Sequence, residues 1–172
     1  MKDWMNRKNI SKPLFLTIIF SVVIIFFFNG AMRFLTMRIY DSSSTGKSMM
    51  PTIKEGMKLL LVDSQNKEIK RGDIISIEGY SEEDGEKIHT LKRVVGLPNE
   101  TIVIQGDKVY INGNLLEEIY AYYSSKSDDD LSLRLNEDEY FVMGDNRMGS
   151  FDSRRIGAIP RKAIIGKVVK YR

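Results

Sequence analysis

The chain has 172 residues, 42% hydrophobic and 28% charged, with 13 glycines and 4 prolines; that is about one domain with enough apolar content for a core, and it excludes a disordered or collagen-like chain. There is no cysteine and a single histidine, His89, which excludes disulfide scaffolds, thiolate zinc sites, iron–sulfur clusters, cysteine nucleophiles and multi-histidine metal centres. The net charge of +3 sits entirely in the first 13 residues, where Lys2, Arg7, Lys8 and Lys12 outnumber Asp3, while the other 22 basic and 22 acidic residues cancel; the charge therefore argues for no nucleic-acid partner.

Residues 1–13 read as a cytoplasmic basic leader. Residues 14–32 follow, 19 positions without a charge. As a helix they would be about 28 Å long, close to the hydrocarbon thickness of a bilayer. This predicts one N-terminal transmembrane helix anchoring the chain in the lipid bilayer. Only Arg33 and Arg38 stand just beyond the span, so the positive-inside rule puts residues 33–172 outside a cell membrane that is crossed once. A cleaved signal peptide is the alternative. The apolar run is longer than a usual h-region and no A-x-A-like site follows it, which favours an uncleaved anchor.

Beyond the anchor the pattern is of strands. Residues 57–62 and 73–77 are aliphatic runs bounded by Gly56, Gly72 and Gly79. Residues 89–95 alternate before Gly96 and Pro98. Residues 101–104 and 108–111 read as consecutive strands around a Gly106-Asp107 turn, and Asn112-Gly113 predicts a type I′ hairpin turn. Residues 139–143 and 163–171 complete the set, and residues 124–130 read as an exposed loop. The prediction is one mainly β domain over 33–172, coiled-sheet or barrel-like, with little helix.

Three segments carry groups suited to chemistry. In Gly46-Lys47-Ser48-Met49-Met50-Pro51-Thr52, Gly46 permits an unusual backbone angle or close approach of another chain. Pro51 restricts Met50, which leaves Ser48 on a stiff, exposed turn. The G-x-S-x-G elbow is absent, because Met50 stands where its second glycine would be. A serine nucleophile needs a base, and the candidates are His89 and Lys92. Thr90, Lys92 and Val94 share one strand face, and Leu91, Arg93 and Val95 the other. A lysine on a buried face loses hydration, its pKa falls, and its neutral amine can take a hydroxyl proton; Lys92 and Arg93 as solvated strand charges is the plainer reading of the dipeptide alone. The third segment, Gly144 to Arg154, packs two Asp, two Arg, two Ser and one Asn behind an apolar strand and predicts a hydrogen-bonded network. Its acidic spacing fits no EF-hand.

Taken in order, the anchor, G-K-S-M-M-P-T, R-G-D-I-I, L-K-R-V-V-G-L-P and G-D-N-R-M-G-S-F-D-S-R resemble the type I signal peptidases, membrane-anchored proteases of the Ser–Lys class, over nearly the whole chain. The short form is like that of Gram-positive members. The resemblance implies the coiled-sheet fold shared with the self-cleaving repressor peptidases, with 33–172 as the catalytic domain and a reduced accessory segment around 105–138. It also implies Ser48 as nucleophile, Lys92 as general base, Ser150 orienting Lys92 by a hydrogen bond, and Asp145, Arg147, Asp152 and Arg154 holding the site together. Secretory preproteins with small residues before the cut are the implied substrates, and neither cofactor nor metal is implied. Asn99-Glu100 stands where the family usually has Gly-Asp; asparagine tolerates positive φ, so the turn is expected to survive. Met148-Gly149 replaces a more polar pair. Gly46 stands where some members carry a serine oxyanion donor, which leaves the backbone N–H of Ser48 as the donor that can be nominated. Three other readings are a processing peptidase dedicated to one substrate class such as pilins, a self-cleaving regulator, and a catalytically inactive membrane-tethered assembly module.

Overall fold

The computed structural model describes residues 20, 21, 24, 39–43, 46–64, 67–80 and 87–172. The chain divides into two units, Met1–Met37 and Arg38–Arg172. In the first, Phe20, Ser21 and Ile24 are helical. The rest of the expected span over 14–32, like the leader over 1–13, lies outside the described residues. Among the described residues no helix is long and apolar enough to cross a membrane.

The second unit is mainly β. Its strands are β1 (Ile39–Ser43), β2 (Lys58–Asp63), β3 (Ile74–Tyr80), β4 (Lys87–Gly96), β5 (Thr101–Gln105), β6 (Lys108–Ile111), β7 (Asn114–Leu115), β8 (Asp130–Arg134), β9 (Glu139–Met143), β10 (Ile159–Pro160) and β11 (Ile164–Tyr171). A one-turn helix, α1 (Ser153–Ile156), precedes β10. Seven strands form one sheet in the order β1-β2-β11-β3-β4-β9-β10, and four form another in the order β7-β6-β5-β8. The barrel-like expectation needs correcting. Both sheets are open, with β1 and β10 ending the larger and β7 and β8 the smaller. The polar Asp41–Ser43 stretch lies within β1, an edge strand hydrogen-bonded to β2 alone.

Strands β4 and β9 carry the architecture because both of their faces are covered. Val94, Tyr140 and Val142 face a core with Ile69, Ile75, Ile77, Ile159 and Ile164. Their neighbours Val95, Phe141 and Met143 face a second core shared with Ile102, Ile104, Val109 and Ile111 of the small sheet. A strand buried on both faces needs a continuous apolar run rather than alternation, and Tyr140 to Met143 is one. The register of β4 on β9 shifts between Val94 and Gly96. At that bulge a β-carbon on Gly96 would stand 2.5 Å from Ile102 Cδ1 and 2.9 Å from Phe141 Cβ, so the close approach of the two layers requires glycine there.

The turns follow the sequence expectation. Asn112 and Gly113 have φ of 50° and 82°, as a type I′ turn demands. Asn99 has φ of 66°, so asparagine holds the left-handed position after Pro98. Glu100 gains a use of its own. Its carboxylate accepts from Leu97 N at 2.7 Å and takes a two-pronged contact from Arg71, whose guanidinium also reaches Val95 O at 2.6 Å. The turn is thereby tied to the end of β4.

A third apolar group, Met49, Ile53, Leu59, Leu61 and Ile74, anchors the segment after Gly46. Met49 and Ile53 are fully buried, and Ile53 N donates to Met49 O at 2.8 Å. The turn bearing Ser48 is therefore held against the large sheet by its own downstream side chains.

Candidate active site

Ser48 is half-buried in a turn closed by Met50 N donating to Lys47 O at 3.2 Å. Lys92 comes from the middle of β4, opposite Ile75. It is only 4% exposed. Its Nζ donates to Ser48 Oγ at 3.3 Å and to Leu91 O at 3.1 Å. Burial pulls the Lys92 pKa below its ordinary 10.5, against an opposing pull from the Asp152 carboxylate. His89 is exposed, three residues along the strand and on its other face. The geometry thus brings one hydroxyl and one desolvated amine within hydrogen-bond reach and leaves the imidazole in solvent.

The loop after β9 supplies the frame. Asp145, fully buried, accepts from Arg93 Nε at 2.8 Å and Nη2 at 2.6 Å, and from Thr52 Oγ1 at 2.5 Å. One carboxylate therefore links the Ser48 segment to the residue next to Lys92. Arg93, on the strand face opposite Lys92, also donates to Gly72 O at 2.8 Å and lies 4.2 Å from the Tyr120 ring centroid. Asp152 caps α1 and accepts from Gly144 N at 2.9 Å and from Arg154 Nε and Nη2, each at 2.9 Å. Arg154 continues to Asp129 at 2.7 Å and to Arg147 O at 2.6 Å. Arg147 is buried with Glu118, bonded at 2.6 and 2.9 Å, and also reaches Tyr123 OH and Gly144 O. The strand-to-strand segment 116–129 is thus strapped onto the loop by two arginines.

Two of the expected site residues behave otherwise than the sequence suggested. Ser150 Oγ is buried and has no hydrogen-bond partner, so the expected bond to Lys92 is not made. It sits instead over Gly144, where any β-carbon would collide with Ser150 and with Ser48 O at 2.5 Å. Gly46 is not among the residues with positive φ, and a β-carbon there would meet nothing within 4 Å. Neither an unusual backbone angle nor close packing within the chain explains it. Sequence reasoning missed Thr52 and Arg93. Nothing in the sequence around Arg93 signalled its role: its partner Asp145 lies 52 residues on, and only the structure shows Lys92 buried and Arg93 paired.

A serine hydroxyl beside a buried lysine, framed by paired carboxylates and guanidiniums, is equipment for acyl transfer by a serine hydrolase that uses an amine as base. Comparison with known proteins narrows this class. The family model described as signal peptidase, peptidase S26, matches residues 14–171. A signal peptidase I of Bacillus amyloliquefaciens is 40% identical over 133 residues, covering 70% of this chain and 67% of that protein. Signal peptidase I T of Bacillus subtilis is 39% identical with the same coverage. A crystal structure of a signal peptidase I from Enterococcus faecalis V583 is 32% identical, covers 60% of this chain and 98% of that one, and has a TM-score of 0.48. The chain belongs to the signal peptidase family, peptidase S26.

Proposed function

We propose that this chain is a serine endopeptidase that removes signal peptides from secretory preproteins, with Ser48 as nucleophile and Lys92 as general base. The supporting observation is the buried Lys92 amine 3.3 Å from Ser48 Oγ. Neutral Lys92 Nζ takes the proton as Ser48 Oγ bonds to the scissile carbonyl carbon. The oxyanion then collapses, the C–N bond breaks, and the new amine leaves with a proton from Lys92. Lys92 next takes a proton from water as the water oxygen bonds to the acyl carbon, and passes that proton to Ser48 Oγ as the ester bond breaks. Asp145, Arg147, Asp152 and Arg154 contact neither reacting atom in this scheme; they fix the loop against which the Ser48 turn rests. Ser150 packs against Gly144, and a β-carbon on Gly46 would meet nothing within 4 Å. The relatives' name, signal peptidase I, supports the substrate class.

The basic leader and the charge-free run at 14–32 support anchoring in the bilayer with the catalytic unit outside the cell membrane. Anchoring confines enzyme and membrane-inserted signal peptide to one surface and raises their effective concentration. The intact pairing of Ser48 with Lys92 weighs against an inactive assembly module. The test is cleavage of a panel of preproteins by the purified full chain in detergent, with the new N-termini sequenced. Cuts after small residues that vanish in Ser48→Ala are expected; cleavage at a comparable rate by Ser48→Ala would refute the assignment.

A further inference from the structure

Asn146 makes three contacts that converge on the Ser48 turn. Its backbone N–H donates to Ser48 O at 2.9 Å. Its side-chain Nδ2 donates to Lys47 O at 3.2 Å, and its Oδ1 accepts from Gly149 N at 3.2 Å. The carbonyls before and after the Ser48 Cα are therefore held by one residue. In a planar trans peptide the Ser48 N–H points opposite to the Lys47 carbonyl. Holding Lys47 O toward the loop aims the Ser48 N–H away from it. Asn146 is itself fixed on both sides: Tyr122 N donates to Asp145 O at 2.7 Å and Arg147 N to Tyr122 O at 2.9 Å.

We propose that Asn146 is a positioning residue for the oxyanion donor. By holding the Lys47–Ser48 peptide plane, its side chain points the Ser48 N–H at the carbonyl oxygen that gains charge as Ser48 Oγ bonds to the carbonyl carbon and its proton passes to Lys92. This rests on the assignment of Ser48 as nucleophile. Gly149 belongs to the same device. A β-carbon there would lie 2.6 Å from Asn146 Nδ2 and 3.0 Å from its Cγ, while Gly149 does not have positive φ. The glycine that departs from the family's more polar pair is thus what gives the Asn146 amide its place. An alanine would displace the flexible end of that side chain and leave the backbone hydrogen bond to Ser48 O in place.

The experiment compares the full chain with its Asn146→Asp, Gly149→Ala and Ser48→Ala variants in detergent. Aspartate keeps the acceptor for Gly149 N but sets an oxygen against the Lys47 carbonyl. Loss of an aimed oxyanion donor costs about 10²- to 10³-fold in kcat, and a donor that is loosened rather than deleted loses less, about 10- to 100-fold. Both Asn146→Asp and Gly149→Ala are expected to lose kcat to that extent with KM within about twofold. A peptide boronate, which forms a tetrahedral adduct on Ser48, is expected to lose affinity in proportion, while the cleaved signal peptide binds as before. If Asn146→Asp does not fold, Gly149→Ala decides alone. Unchanged kcat in a folded Gly149→Ala variant, or equal loss of boronate and product-peptide affinity, overturns the positioning role. Cleavage persisting in Ser48→Ala overturns the nucleophile assignment instead.

Discussion

Lys92 stands under two opposed influences: burial, which drives its amine toward the neutral form, and the Asp152 carboxylate, which favours the charged form. Burial prevails and the pKa lies below 10.5. A base that acts neutral gives a rate that rises with pH through that lowered value. Removing the Asp152 charge removes the influence that raises it, so Asp152→Asn is expected to move the rising limb of kcat/KM to lower pH. A pH–rate profile checks this, and a limb that stays in place would contradict the coupling. Lys92→Arg is expected to be inactive at every pH because guanidinium stays charged. The same burial has a stability consequence. The unfolded chain binds a proton at Lys92 that the folded chain resists, so folding weakens as pH falls from 10.5 through the lowered value. These properties were half legible in the sequence. The alternation along 89–95 put Lys92 and His89 on opposite faces, and they are so placed. What the sequence lacked was the tertiary partner: nothing local announces that Arg93 meets Asp145, 52 residues on, or that Ser150 Oγ ends without a partner.

At the scale of elements, strands marked by apolar alternation or by a continuous apolar run were readable: residues 108–111 and 139–143 match β6 and β9 as expected. Strand β1 was not readable, since an edge strand needs no apolar alternation. The strap over 116–129 was also hidden. Its acidic residues look like a solvated loop, yet Glu118 is buried against Arg147 with side-chain exposures of 7% and 0%. Removing one partner of such a pair leaves the other charge buried and costs about 3–5 kcal/mol. Glu118→Ala is therefore expected to lower the unfolding temperature by more than any exposed acidic substitution in the same segment, such as Glu117→Ala. Thermal unfolding of the two variants side by side checks this; equal effects would mean that the strap does not brace the loop.

For the whole molecule, the last strand completes the large sheet. Strand β11 lies between β2 and β3, so the strand that follows the Ser48 segment and the strand that bears Lys92 join one sheet only through pairings across roughly a hundred residues of sequence. Such non-local order is invisible to periodicity, which finds strands but not their neighbours. The sequence speaks more directly about orientation. With Lys2, Arg7, Lys8 and Lys12 on one side of residues 14–32, external protease added to intact protoplasts is expected to digest the catalytic unit. Protection of that unit until the membrane is opened would reverse the orientation. The central claim is that Ser48 forms an acyl bond with the help of Lys92, and intact-protein mass spectrometry after reaction with an activated peptide ester tests it most directly. One acyl group is expected, mapped to the peptide containing Ser48, growing faster as pH rises, and absent from Ser48→Ala and Lys92→Arg. A label of equal yield in Ser48→Ala, or one that forms normally in Lys92→Arg, would contradict it.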